Sequence, residues 1–403
     1  TPQNNTSLFD LSANISVIFS NNMNDTTMTT ESIVVKENGV TIITSVAYSN
    51  RTLTITPTSQ LKQNKNYMVT IGAGITDIYD NALEFDYTFT FRTKGWKNSI
   101  QVETDTGSAS NPQIGVDDYG NVFAVWSQFD GTCNSVYANR YTANSGWGTP
   151  VLLETQDFYH NYNPKIAVHP SGNAFVVWQR KLGDYNLYAN NYTVGQGWGT
   201  HFAVDPTSDN AENHQVAYTK DGIPVVVWKQ YHGSNNRYYI FYNIYTSSGW
   251  VTEEGYVEEI HTGDADNPQL AVGPFGDAIV VWQKSDGTTT DIWANRLSTH
   301  LSWGTPLKIE SISGNAKNPH IAMDSKGNAI AVWQQSDGAK ISIYANKYTT
   351  GTGWGIEQII EADDTQGASD PKVAFDPSGN AMAVWNHGNA LWTNTYLSGS
   401  GWG

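Results

Sequence analysis

Cysteine is nearly absent: Cys133 stands alone in 403 residues. No internal disulfide can form, so the fold rests on its own packing. Cys133 itself reads as a small, partly buried residue. Basic charge is also scarce, with 22 Lys and Arg against 38 Asp and Glu and a net charge of −16. Phosphate contacts need clustered cations and none is visible, which argues against nucleic acid or an anionic membrane as partner. No apolar run is long enough to span a bilayer as a helix. No stretch holds a 3.6-residue apolar rhythm for long, so extended helices are not expected. The initiator Met is missing too, and the chain reads as a processed or trimmed part of a larger protein.

Aromatics, by contrast, are plentiful, with 15 Trp and 22 Tyr. Together with β-branched residues between Gly, Asn, Thr and Ser turn formers, they predict an all-β protein with a sizeable core. The length suits roughly two or three domains. Asn-x-Ser/Thr sequons at Asn4, Asn5, Asn14, Asn24, Asn50 and Asn191 fit a secreted, glycosylated chain.

Residues 1–93 do not repeat. Strand-like runs alternate with turns in "NISVIFS" (14–20), "SIVVKEN" (32–38), "TLTITP" (52–57), "NYMVTIG" (66–72) and "DYTFTFRT" (86–93), the pattern of a small β-sandwich. The marks "FSNNM", "LTITP", "YMVTI", "ITDIYDNAL" and "FTFRT" resemble the bacterial Ig-like domain of the surface-layer protein type. That resemblance implies a spacer or adhesive stalk without shared catalytic residues.

From residue 95 onward one sentence is written six times. "NPKIAVHPSGNAFVVWQ" (163–179) returns as "NPQLAVGPFGDAIVVWQ" (267–283) and "NPHIAMDSKGNAIAVWQ" (318–334). The closing Trp recurs at 126, 178, 228, 282, 333 and 385, at spacings of 52, 50, 54, 51 and 52. Six units of about four strands predict a six-bladed β-propeller over 95–403. The run "NAFVVW" is apolar on both faces, so its strand needs cover on both sides, which stacked blades supply. Gly115, Ala167, Ala217, Ala271, Ala322 and Ala374 hold one small position in the opening strand and leave room for a neighbouring blade. The D-x-x-G-N segments read as turns with Gly at positive φ, not as metal or catalytic sites. The sixth unit breaks off at "GWG" (401–403), while a spare last strand, "GWKNSIQVETD" (95–105), precedes the first. Pairing of 95–105 with the last blade is therefore the expected closure.

Two sets of residues are candidates for ligand binding. Asn111, Asn163, Asn213, Asn267, Asn318 and Asp370 open the inner strands and would ring one mouth of the channel. Such a ring suits a polar ligand, a water cluster, or a hard cation such as Ca2+ at the mouth or loops. Turn capping by Asn or Asp before Pro would explain the same six copies. Phe158, Tyr159, His160 and Tyr162 in "QDFYHNYN", with Tyr231 and His232 in "KQYHGSNNRYY", lie in the loops that differ most among copies. Rings beside amides suit sugar recognition, although aromatics also stiffen long loops.

Enzyme signatures are thin. Six-bladed sialidases, which the D-x-x-G-N turns resemble in part, use an Arg cluster, an acid and a Tyr nucleophile; four of the six Arg here lie in the repeats, and Arg140 and Arg296 share one repeat position. The acidic pairs Asp264/Asp266 and Asp363/Asp364 fall in polar loops. The reading is a non-catalytic extracellular or cell-surface protein, with a propeller head for a glycan or protein ligand on an Ig-like spacer. The alternatives are a glycosidase or polysaccharide lyase working at the channel mouth, and a structural part of a surface coat.

Overall fold

The computed structural model describes residues 6–9, 14–93, 99–104, 106–143, 145–155, 158–181, 183–205, 209–234, 236–246, 248–250, 255–258, 263–336, 338, 340–362 and 366–403. The chain divides into two compact units, Thr1–Gln101 and Val102–Gly403. Both are all-β. Among the described residues the only helical element is a 3-10 turn, Asp25–Thr27, capped by Asn24.

The first unit is a pair of sheets. One runs in the order Ile15–Ile18, Thr52–Pro57, Thr44–Ser49; the other runs Thr6–Phe9, Tyr87–Thr93, Asn66–Ile71, Ile33–Glu37, Val40–Ile42. Period-2 alternation decides the interior. Ile33 and Val35, Leu53 and Ile55, Tyr67, Val69 and Ile71, and Phe89 and Phe91 all point inward and are buried. The Tyr67 ring stacks on Phe91 with centroids 5.5 Å apart, while its hydroxyl accepts the Lys62 amide at 2.9 Å.

The second unit holds six sheets of one design. Their first strands are Ala109–Val116, His160–Val168, Ala211–Tyr218, Asp264–Val272, Ala316–Met323 and Ala368–Phe375, each antiparallel to the strand that follows it. Successive first strands lie side by side. The doubly apolar second strands are buried on both faces: Phe175, Val176, Val177 and Trp178 are sealed from solvent, as are their counterparts Val225 to Trp228. Burying such side chains contributes roughly 1.5–3 kcal/mol each. Indole N–H groups that deep need acceptors. Trp178 donates to Asn161 at 2.9 Å, and Trp126 and Trp333 donate to the Gln two residues ahead. The small position behaves as expected: a Cβ on Gly115 would lie 2.5 Å from Val168 Cγ2 on the next sheet.

Adjacent sheets are tied by one repeated amide. Asn190 donates to Leu153 O at 2.8 Å on the strand end paired with the preceding sheet, and to Gly199 O at 3.0 Å in its own. Asn295, Asn346 and Asn394 bridge in the same manner. The acid after three of these carbonyls, Leu153, Val257 and Ile309, is buried and meets the residue two places after the next Trp. Glu154 pairs with Arg180 at 3.6 Å, Glu258 with Lys284, and Glu310 accepts from Gln335.

The expected closing strand, 95–105, falls partly outside the described residues. Residues 99–104 form no strand, and 95–98 and 105 lie outside the described residues. The sixth sheet ends at Gly401–Trp402. Val102 and Glu103 sit on the first sheet, accepting from Asn139 at 2.8 Å and Gln128 at 3.2 Å, the places Leu153 and Glu154 hold on the second. Among the described residues, no strand pairs beyond Gly401–Trp402 on the last sheet. Ile114 and Leu391 are 74% and 73% exposed, whereas Ile321 and Leu187 at the same repeat positions are buried.

Candidate functional site

The Asn positions owe their identity first to the backbone. Asn111, Asn163, Asn213, Asn267, Asn318 and Asp370 all have φ between 51° and 54°. Each sits at a register shift in its first strand, such as that between Tyr162 and Lys165 or between Asp266 and Gln269. A bulge of this kind needs a left-handed residue, and Asn and Asp tolerate that region best after Gly. The Pro that follows all of them except Asn213 costs no ladder bond at an inner edge. The capping explanation is thus replaced by a more specific one, a bulge that turns the side chain toward the channel.

The six side chains then link in two runs, Asn111 with Asn163 and Asn213 through Asp370. Asn111 donates to Asn163. Asn213 donates to Asn267 at 3.2 Å, Asn267 to Asn318 at 3.4 Å, and Asn318 to Asp370 at 3.1 Å. Gln residues after the Trp brace the ring: Gln179 accepts from Asn163 at 2.7 Å, and Gln334 accepts from Asn318 and from the Asp370 amide at 3.1 Å each. A cavity of about 930 Å³ opens inside, lined by Asn111, Asn163, Asn213 and Asn267 together with Tyr162 and Tyr185. Those two rings meet edge-on at 6.2 Å.

The aromatic loops divide. Tyr162 reaches the cavity and stacks against His160, whose Nδ1 accepts the Asn134 amide at 3.0 Å. Phe158 is 88% exposed, and Tyr159 lies over the Arg180 guanidinium. Tyr231 donates to Asn236. His232 packs among Tyr239, Phe241 and Tyr256 inside its own sheet. None of Phe158, Tyr159, His160, Tyr231 and His232 lines the mouth cavity.

The acids near the mouth are engaged. Lys229 Nζ lies 3.2 Å from Glu212 and 3.4 Å from Asp266, which also accepts from Asn213 at 3.0 Å. Asp264 accepts the Tyr238 amide at 3.0 Å and lies 3.8 Å from Arg237. Asp363 and Asp364 lie outside the described residues. The D-x-x-G-N aspartates bind their own turns, Asp117 taking the Tyr119 and Asn121 amides at 2.9 and 2.8 Å. Among the described residues, no group of three or more His, Cys, Asp and Glu is placed to hold a metal.

Sequence reasoning missed the residue two places after each bulge: Gln113, Lys165, Gln215, Gln269, His320 and Lys372. The first four line or rim the cavity. The signal was available, since position 3 of "NPQ", "NPK", "NHQ", "NPH" and "DPK" is always polar in an otherwise apolar strand.

Residues 1–93 match the bacterial Ig-like domain family. No curated protein matches the sequence. Among solved structures, the BP39L lectin from Burkholderia pseudomallei aligns over 92% of this chain and 97% of its own at 9% identity, with a TM-score of 0.53. A polysaccharide lyase, ulvan lyase, aligns over 72% of this chain and 82% of its own at 10% identity, TM-score 0.48. An α-L-arabinofuranosidase from Fusarium graminearum covers 73% and 94% at 12% identity, TM-score 0.45. The chain is an all-β protein in which a bacterial Ig-like domain precedes sheets of β-propeller type.

Proposed function

We propose that this is a non-catalytic extracellular or cell-surface protein. Its second unit acts as a six-bladed propeller head that binds a glycan at the channel mouth, and its surface-layer-type Ig-like domain is the spacer. The observation that carries this reading is the mouth itself: a cavity of about 930 Å³ in which Tyr162 and Tyr185 stand beside a chain of Asn and Gln side chains. Flat rings cover the apolar faces of a sugar, and amides, being both donors and acceptors, match its hydroxyls. The fold is shared with a lectin. The acids Glu212, Asp266 and Asp264 are held by cations or amides, which suits binding better than acid–base work.

A glycan array probed with the whole chain, followed by titration of the strongest hit, tests the proposal. Saturable binding without product release is expected. Silence across the array removes the glycan, and release of shortened sugars removes the word non-catalytic.

A further inference from the structure

We infer that the channel behind the mouth is an anion subsite, built to take a carboxylate or sulfate group carried on a sugar. This names the class of glycan for the site proposed above and rests on that proposal.

Four observations converge. The chain carries a net charge of −16, yet the inward position of its first strands holds Lys165 and Lys372 among Gln113, Gln215, Gln269 and His320. No ion pair or hydrogen bond ties up Lys165 or Lys372 among the described residues, while Lys229, Lys284, Lys308, Arg180, Arg237 and Arg296 all have carboxylate partners. Burial, and then mutual repulsion from Lys372, lower the Lys165 ammonium below its ordinary range. Burial also lowers Lys372, with Asp370 at the rim opposing. Lys165 lines the cavity, and Lys372, at the same position of the sixth first strand and outside that lining, lies near enough to repel it.

Neutral donors complete the lining. His214 is buried in the cavity wall beside Lys165, and its Nε2 finds no hydrogen-bond partner. Burial and the nearby lysines push His214 and His320 down to about 4, so both rings are uncharged at neutral pH. The Gln amides and the Lys165 ammonium form a donor set suited to an anion. At the rim, Glu212 and Asp266 share the single Lys229 ammonium. A Ca2+ in this cavity would meet the Lys165 ammonium.

The test uses the whole chain at physiological salt and four probes: a galacturonate oligosaccharide, a sulfated galactan oligosaccharide, an uncharged galactose oligosaccharide, and sodium sulfate. At least one acidic oligosaccharide is expected to bind about tenfold or more tightly than the uncharged one. Lys165→Met and Lys372→Met should each remove about tenfold of that affinity, while Lys165→Arg and Lys372→Arg keep most of it. The thermal midpoint of either Met variant should hold or rise, because a repelling charge is removed; a fall would mark a structural lysine. Equal binding of acidic and uncharged oligosaccharides, unchanged in the Met variants, overturns the inference and leaves the glycan site standing. Lys-dependent binding of sulfate alone keeps the anion site and overturns the glycan reading. No binding of any probe overturns both.

Discussion

Asn190 reaches across a sheet boundary: its amide holds Leu153 O on the strand end of the preceding sheet and Gly199 O in its own, at 2.8 and 3.0 Å. One side chain thus satisfies two carbonyls where two sheets meet. Asn190→Ala leaves both without their donor, at about 1–3 kcal/mol for each buried group. We expect a loss of about 2–4 kcal/mol in urea unfolding of the whole chain. A loss under about 0.5 kcal/mol, the range of an ordinary surface change, would mean that water or backbone replaces the bridge.

Leu187 and Leu391 occupy one repeat position, yet the first is fully buried and the second is 73% exposed. Leu187→Ala should cost about 2–5 kcal/mol, as for a core leucine. Leu391→Ala should cost less than about 0.5 kcal/mol. Equal costs in thermal or urea unfolding would show Leu391 covered in solution.

His214 couples stability to pH. Its folded pKa lies near 4 against 6.5 unfolded, mainly through burial. The unfolded chain therefore takes the proton first as pH falls. The stability this group contributes is complete above about pH 6.5 and is lost progressively toward pH 4. At 1.36 kcal/mol per pKa unit the loss reaches about 3 kcal/mol. Unfolding measured from pH 7 to pH 4 should fall steeply in the wild type and less steeply in His214→Gln. Identical slopes would place the pH sensitivity elsewhere.

The architecture was legible because repetition exposes it. A Trp every 50 to 54 residues, a doubly apolar second strand and a small residue at the position of Gly115 each report a contact that stacked sheets must make. The Asn ring was legible as a ring but not in its cause, because a left-handed bulge leaves only an Asn before Pro in the sequence and that reads equally as a turn cap. His232 misled: an aromatic loop looks the same whether its rings face solvent or, as here, Tyr239 and Tyr256. Lys165 was passed over because a single lysine in one repeat reveals nothing until its strand places it at the cavity. The stitch at 95–105 was inferred from a matching phrase; Val102 and Glu103 do match Leu153 and Glu154, but in their grip on the following sheet.

The most direct test of the account is the affinity of the whole chain for its strongest glycan, measured by calorimetry for the wild type, Tyr162→Ala and Phe158→Ala. Tyr162 lines the mouth, whereas Phe158 stands exposed away from it. The account predicts a loss of about tenfold or more for Tyr162→Ala and no change for Phe158→Ala. Full affinity in Tyr162→Ala, or a loss confined to Phe158→Ala, would contradict a binding site at the channel mouth.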